Sequence, residues 1–160
     1  MAYMHVNFNV TEHGTGFPAN TLAAEYGSHI MNVKLATDTD NGMIVGVDTS
    51  KQVSFDVFDE TTPETFTGTV LQKNQDGTWL VLVKTAVNAG FVYQKPLTEY
   101  ESPRALTEEK AFYNKAGDIV RVYMLQPFDR ISVSESNFSG TPTANAAITG
   151  VTNKKLTVGA

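Results

Sequence analysis

The chain has 160 residues, 12 basic against 17 acidic side chains, a net charge of −5 at pH 7 and no cysteine. A chain of this size folds as one domain that buries roughly 70% of its unfolded surface. The missing cysteines exclude disulfides, thiolate nucleophiles and thiolate metal sites together. The acidic balance opposes binding to duplex DNA or an anionic membrane surface, which rests on excess Lys and Arg.

The start, "MAYMHVNFNV", places Met4, Val6, Phe8 and Val10 in one alternating row. It has neither the basic region nor the long apolar region of a signal peptide. The longest apolar run, Trp79–Val83, is five residues, against the ~20 that a membrane span needs. A soluble protein is expected. "TEHGTGFPANTLAA" has little period, with two glycines and a proline, and reads as a linker. Residues 1–18 are therefore an expected arm and linker, and 19–160 a single β-rich domain.

"HIMNVKLAT" sets Met31, Val33 and Leu35 against Ile30, Asn32 and Lys34, the alternation of a half-buried strand. Asn41-Gly42 predicts a hairpin turn, since both residues tolerate positive φ. "KQVSFDVFDE" alternates Val53, Phe55 and Val57 with Ser54, Asp56 and Phe58. The strongest hairpin signal is "TFTGTVLQKNQDGTWLVLVKT", two β-rich arms joined at Asp76-Gly77. "AGFVYQKPL" is a short strand stopped by Pro96. "SPRALTEEKAFYNKAGD" breaks the pattern: Thr107 suits an N-cap, Glu108 and Glu109 suit the first turn, and a short helix is expected over 107–115.

In "DIVRVYMLQPFDRISVSESNF", Val120, Val122 and Met124 form an apolar face, while Ile119, Arg121, Tyr123 and Leu125 form a mixed one. Pro127 suits the second place of a type I turn, and Arg130 opens the return arm of an expected hairpin. "AITGVTNKKLTVGA" predicts a last hairpin around Asn153-Lys154. Strands about ten residues apart, separated by turn signals, indicate an all-β sandwich or barrel with one short helix.

Candidate chemistry is sparse. His5, His13 and His29 lie too far apart in sequence for the tight pairs of a zinc site. "TDTDNG" puts Thr39 and Thr37 where a calcium loop needs acidic or Asn residues. There is no G-x-S-x-G elbow, P-loop or G-x-G-x-x-G. The carboxylate pairs Asp59-Glu60, Glu99/Glu101 and Glu108-Glu109 read as solvated or helix-start residues. The aromatics are not interleaved with Lys and Arg as a single-strand nucleic-acid platform requires. The charges of the 118–138 stretch, Arg121, Asp129, Arg130 and Glu135, supply no nucleophile–base pair. Arg beside Tyr and Leu is instead a composition enriched at protein contacts.

"TEEKAFYNKAGDIVRVYMLQPFDRISVS" resembles a segment of small head-associated proteins of tailed bacteriophages. A Thr-Glu start, Phe-Tyr-Asn, Gly-Asp, Arg-x-Tyr-x-Leu and an Asp before an apolar/Ser strand follow in the same order. "GSHIMNVKLATDTDNGMIVGVD" resembles their strand, Asp-Asn-Gly turn and strand; together the two cover roughly a third of the chain. The resemblance implies a non-enzymatic virion structural protein made in the host cytoplasm. It would bind the major capsid protein as a decoration (cement) or auxiliary head protein, without cofactor, metal, nucleic acid or membrane, and with a homo-oligomer, a trimer included, in keeping with the family. The expected interface residues are Tyr3, Met4, Val6 and Phe8 on the arm and Arg121 and Tyr123 on the mixed face. The arm is either a docking strand for a neighbouring sheet or the first strand of its own barrel. The alternatives are a host- or glycan-binding module, a neck or tail structural protein, and a β-barrel enzyme or carrier.

Overall fold

A computed structural model describes residues 13–25, 29–94 and 113–159. Its strands form two sheets, one of them closed, which agrees with the all-β expectation. The closed sheet is a five-stranded barrel in the order β2-β4-β3-β7-β8, built from β2 (Ile30–Lys34), β3 (Ile44–Asp48), β4 (Phe58–Thr61), β7 (Gly90–Val92) and β8 (Ile119–Met124). Valines dominate its interior: Val33, Val45, Val47, Val92, Val120 and Val122 pack with Leu35. Branched side chains fit such a narrow pleated space.

The second sheet has seven strands in the order β1-β9-β6-β5-β11-β12-β10. Its members are β1 (Gly16–Asn20), β5 (Thr65–Lys73), β6 (Trp79–Val87), β9 (Arg130–Val133), β10 (Phe138–Ser139), β11 (Ala147–Thr152) and β12 (Lys155–Val158). A second core joins this sheet to the barrel's outer wall. Ile44 and Phe91, fully buried on barrel strands, pack there with Val70, Val81, Ile131, Ile148 and Leu156. A four-residue helix, α1 (Leu22–Glu25), follows β1.

The two tightest expected hairpins are present. β5 and β6 pair antiparallel from Lys73↔Trp79 to Thr65↔Val87, with Gly77 at φ +91° in their turn. β11 and β12 pair from Thr152↔Lys155, and the φ values of +49° at Asn153 and +66° at Lys154 fit a type I′ turn.

Four local expectations need correction. Asn41-Gly42 turns the chain, with Gly42 at φ +90°, but makes no hairpin, because β2 and β3 each pair with β4 instead. A Gly42 Cβ would meet Asn137 Nδ2 at 2.4 Å, so the glycine serves a close approach. The 118–138 hairpin is likewise absent: β8 belongs to the barrel and β9 to the other sheet. The turn between them accepts the Asp129 N–H at Gln126 O, 3.1 Å. Phe128 at φ +73° makes it type II rather than type I.

The described part of the expected linker is built into the body. β1 pairs with β9 through Gly16↔Val133 and Phe17↔Ser132, and Pro18 is tolerated because β1 is an edge strand. "KQVSFDV" is not a strand. Ser54 and Val57 form an isolated bridge, and β4 begins only at Phe58. The expected helix over 107–115 lies mostly outside the described residues; of its last three, Asn114 sits in an isolated bridge to Thr39. Residues 1–12 also lie outside them.

Candidate interaction surface

The register of β2 and β8 sorts their side chains onto two faces. Val33↔Val120 and Met31↔Val122 point into the barrel, so Ile30↔Tyr123, Asn32↔Arg121 and Lys34↔Ile119 share the outer face. Arg121 and Lys34 are exposed there, and Ile119 is 55% exposed. Tyr123 is half-buried, its ring 6.3 Å from that of Tyr93 at the margin of the inter-sheet core. The structure thus keeps the expected Ile119, Arg121 and Tyr123 on one mixed face, whereas Leu125, expected beside them, is buried in the inter-sheet core. Tyr3, Met4, Val6 and Phe8 lie outside the described residues.

A tight turn flanks this face. The Val57 N–H donates to Ser54 O at 3.1 Å, closing a turn with Phe55 and Asp56 at its centre. Asp56 adopts φ +56°, and Asn32 donates to its backbone carbonyl at 3.3 Å, holding the turn against β2. Phe55 at the apex is 94% exposed. Beyond the far end of β8 the same device recurs: Phe128, at the apex of the Gln126–Asp129 turn, is 83% exposed. Asp129 locks that turn, its buried carboxylate accepting the Gln126 N–H at 2.8 Å and the Leu22 N–H at 3.1 Å. A non-glycine φ in the left-handed region costs energy, and bulky residues rarely adopt it.

The charges singled out in 118–138 do not converge. Arg121 is on the barrel and Arg130 is exposed on the other sheet, Asp129 is internal, and Glu135 lies on a 3-10 turn over Glu135–Asn137. The acidic loop 38–41 is used internally as well. Asp40 accepts from His13 Nδ1 and from the Gly14 N–H, both at 2.8 Å, and Asp38 accepts the Ala116 N–H at 2.9 Å. His13 stacks on Tyr113 with ring centroids 4.5 Å apart. Among the described residues no group of three or more His, Asp or Glu is placed to hold a metal.

Two polar clusters escaped the sequence reading. Lys154, at the tip of the β11–β12 hairpin, donates to Thr37 Oγ1 and Thr39 Oγ1 at 2.6 Å each. The same ammonium lies 2.6 Å from Glu60 Oε1, whose carboxylate is 8% exposed. The second is an asparagine web. Asn137 donates to Thr15 O and Asn41 O, Asn41 exchanges two bonds with the Gln94 backbone, and Asn114 donates to Asn41 Oδ1. Their partners are up to 122 residues apart, so no local pattern announces them.

A cleft of about 290 Å³ lies between His13, Asp76, Ser134, Glu135 and Ser136. Ser134 Oγ already accepts the Thr15 N–H at 2.9 Å and contacts Ser136 Oγ at 3.0 Å. Among the described residues no helix is long and apolar enough to cross a membrane. Comparison with protein-family models, curated proteins and solved structures returns no match.

Proposed function

We propose that this chain is a non-enzymatic structural protein of a tailed-phage virion, binding the major capsid shell as a decoration or auxiliary head protein. One observation carries the reading: two phenylalanines, Phe55 and Phe128, stand at the apices of locked turns with 94% and 83% of their surface exposed. Leaving a Phe in water forfeits roughly 2–3 kcal/mol of burial. Rigid aromatic anchors of this kind, next to an exposed Arg and a Tyr, are what interface hot spots are made of. Many copies, each binding modestly, reinforce a lattice by avidity. The choice of the capsid as partner rests on the order of motifs, which resembles that of phage head-associated proteins.

The test is quantitative mass spectrometry of purified particles, followed by rebinding of Phe55→Ser and Arg121→Ala variants to particles lacking the protein. A copy number near that of the shell protein, with rebinding weakened about tenfold or more by Phe55→Ser, is expected. A dozen copies or fewer indicates a neck, tail or vertex position, and absence ends the reading. A second reading, a glycan-binding module, draws on the cleft where His13, Asp76 and Glu135 meet the serine hydroxyls on loops. Binding on a glycan array, abolished by Glu135→Ala, would place it first.

A further inference from the structure

The seven-stranded sheet turns one face to the barrel. Trp79↔Val133 and Val81↔Ile131 pair on that side, in or against the inter-sheet core. The register therefore sets Phe17↔Ser132↔Leu80 and Arg130↔Leu82↔Thr69 as two rows across the other face. A sheet face kept for water alternates to polar side chains. Here Phe17, on edge strand β1, is 42% exposed, and Leu80 and Leu82 on β6 are partly exposed, with β9 between them.

The charges near this face are sorted by end. Arg130 opens β9, and Lys84 lies two residues beyond Leu82 on the antiparallel β6, so the two cations share one end. Asp76, in the β5–β6 turn, and Glu135, two residues beyond the end of β9, line one cleft at the other. All four are exposed. Among the described residues, neither Arg130 nor Glu135 takes part in an ion pair. Lys73, also at the acidic end, lies over the Trp79 ring, which packs against the inter-sheet core on the opposite face.

A partner for this surface must be apolar at its centre and carry the reverse order of charge along its length. The chain itself meets both conditions. A two-fold axis lying across the strands, between two copies of the face, reverses each strand against its counterpart. It lays the apolar centre on itself and brings each basic end onto an acidic one, so every charge pairing is made twice. Complementarity of that kind fixes register and orientation.

We propose that a second copy of this chain packs on the outer face of the seven-stranded sheet, with Phe17, Leu80 and Leu82 at the centre and Arg130 against Glu135 of the partner subunit. The inference goes beyond the capsid reading and uses none of Phe55, Phe128 and Arg121, on which that reading rests. Sedimentation velocity of the full chain from about 1 to 200 µM tests it without particles, and a reversible dimer is expected in that range. Arg130→Glu and Glu135→Arg are each expected to weaken dimerisation about tenfold or more. The double variant Arg130→Glu/Glu135→Arg restores the pairing with its signs exchanged and should return to within about threefold of the parent. A chain that stays monomeric throughout, a closed trimer, a dimer indifferent to the single reversals, or a double variant no better than the singles overturns the proposal. Should a reversal disturb folding, the parent decides. Its Leu80 and Leu82 methyl NMR signals are expected to shift with concentration while those of Ile119, on the barrel, stay in place; unmoved Leu80 and Leu82 signals refute the contact.

Discussion

Two side chains show how much of the local chemistry is spent on turns. Asp76 receives at Oδ1 the Thr78 hydroxyl at 2.7 Å and the Thr78 N–H at 3.0 Å. The hydroxyl bond first, then the backbone bond, holds its carboxyl below the ordinary value of 3.8. A folded pKa that is depressed contributes stability above the unfolded value, and the contribution is lost as pH falls through the folded one. Thr78→Val is therefore expected to move the Asp76 titration, followed by carboxyl NMR, back up toward 3.8; an unmoved titration would show that the hydroxyl does not matter. Phe128 presents the opposite case, a residue that suits its turn badly. At φ +73° a glycine is free of the ~1–2 kcal/mol of left-handed strain, although it loses more backbone entropy on folding. Phe128→Gly should leave the unfolding free energy, read from urea titration, unchanged or raise it by up to about 1 kcal/mol, while weakening the particle binding proposed above. A clear loss of stability would mean that the ring supports the fold.

Elements were legible where the signal is local. Asp76-Gly77 and Asn153-Lys154 each join strands that pair with each other, so turn chemistry and alternation suffice to find them. Asn41-Gly42 and Gln126–Asp129 carry equally good turn residues, yet their flanking strands pair elsewhere, and nothing within ten residues says so. β1 was missed because Gly16 and Pro18 resemble a linker. Gly16 is there because a Cβ would meet Gly42 Cα at 2.8 Å, and Pro18 because edge strands accept it. The exposed Phe55 defeated period-two reading, since an aromatic in an alternating row signals core unless it is held out for something else. Gly90 gives the element-scale test. A Cβ there lies 2.1 Å from Val122 Cγ1, inside the barrel. Gly90→Ala should cost about 1–3 kcal/mol by overpacking and disturb methyl signals of Val122 and Val92 before those of Val70 or Val81. Equal perturbation of both sets would mean that the two cores respond as one.

At the scale of the molecule, the barrel and the seven-stranded sheet are joined by the shared core and by one charged rivet. The Lys154 carbonyl accepts the Ile44 N–H at 2.9 Å, where β3 begins, while its ammonium meets Glu60 on β4. Lys154 therefore binds two barrel strands from the tip of a hairpin that belongs to the other sheet. The sequence shows Asn153-Lys154 as a turn; that the turn bonds to two barrel strands follows only from tertiary closure. With the Glu60 carboxylate 8% exposed and the Lys154 side chain 18% exposed, removing the cation strands a charge in a poorly hydrated place. Lys154→Met should cost about 3 kcal/mol, read as a lower urea midpoint. Removing both charges leaves none uncompensated, and the Ala36 N–H that Glu60 Oε2 accepts is at the surface, where water can replace it. Glu60→Leu/Lys154→Met should therefore recover most of the loss and fall within about 1 kcal/mol of the parent. If the double variant is instead as unstable as the sum of its singles, the pair is not coupled, and the joint between the sheets rests on the apolar layer of Ile44, Phe91, Ile148 and Leu156 and on the uncharged bonds beside it, Ile44 N–H to Lys154 O and Asn137 to Asn41 O.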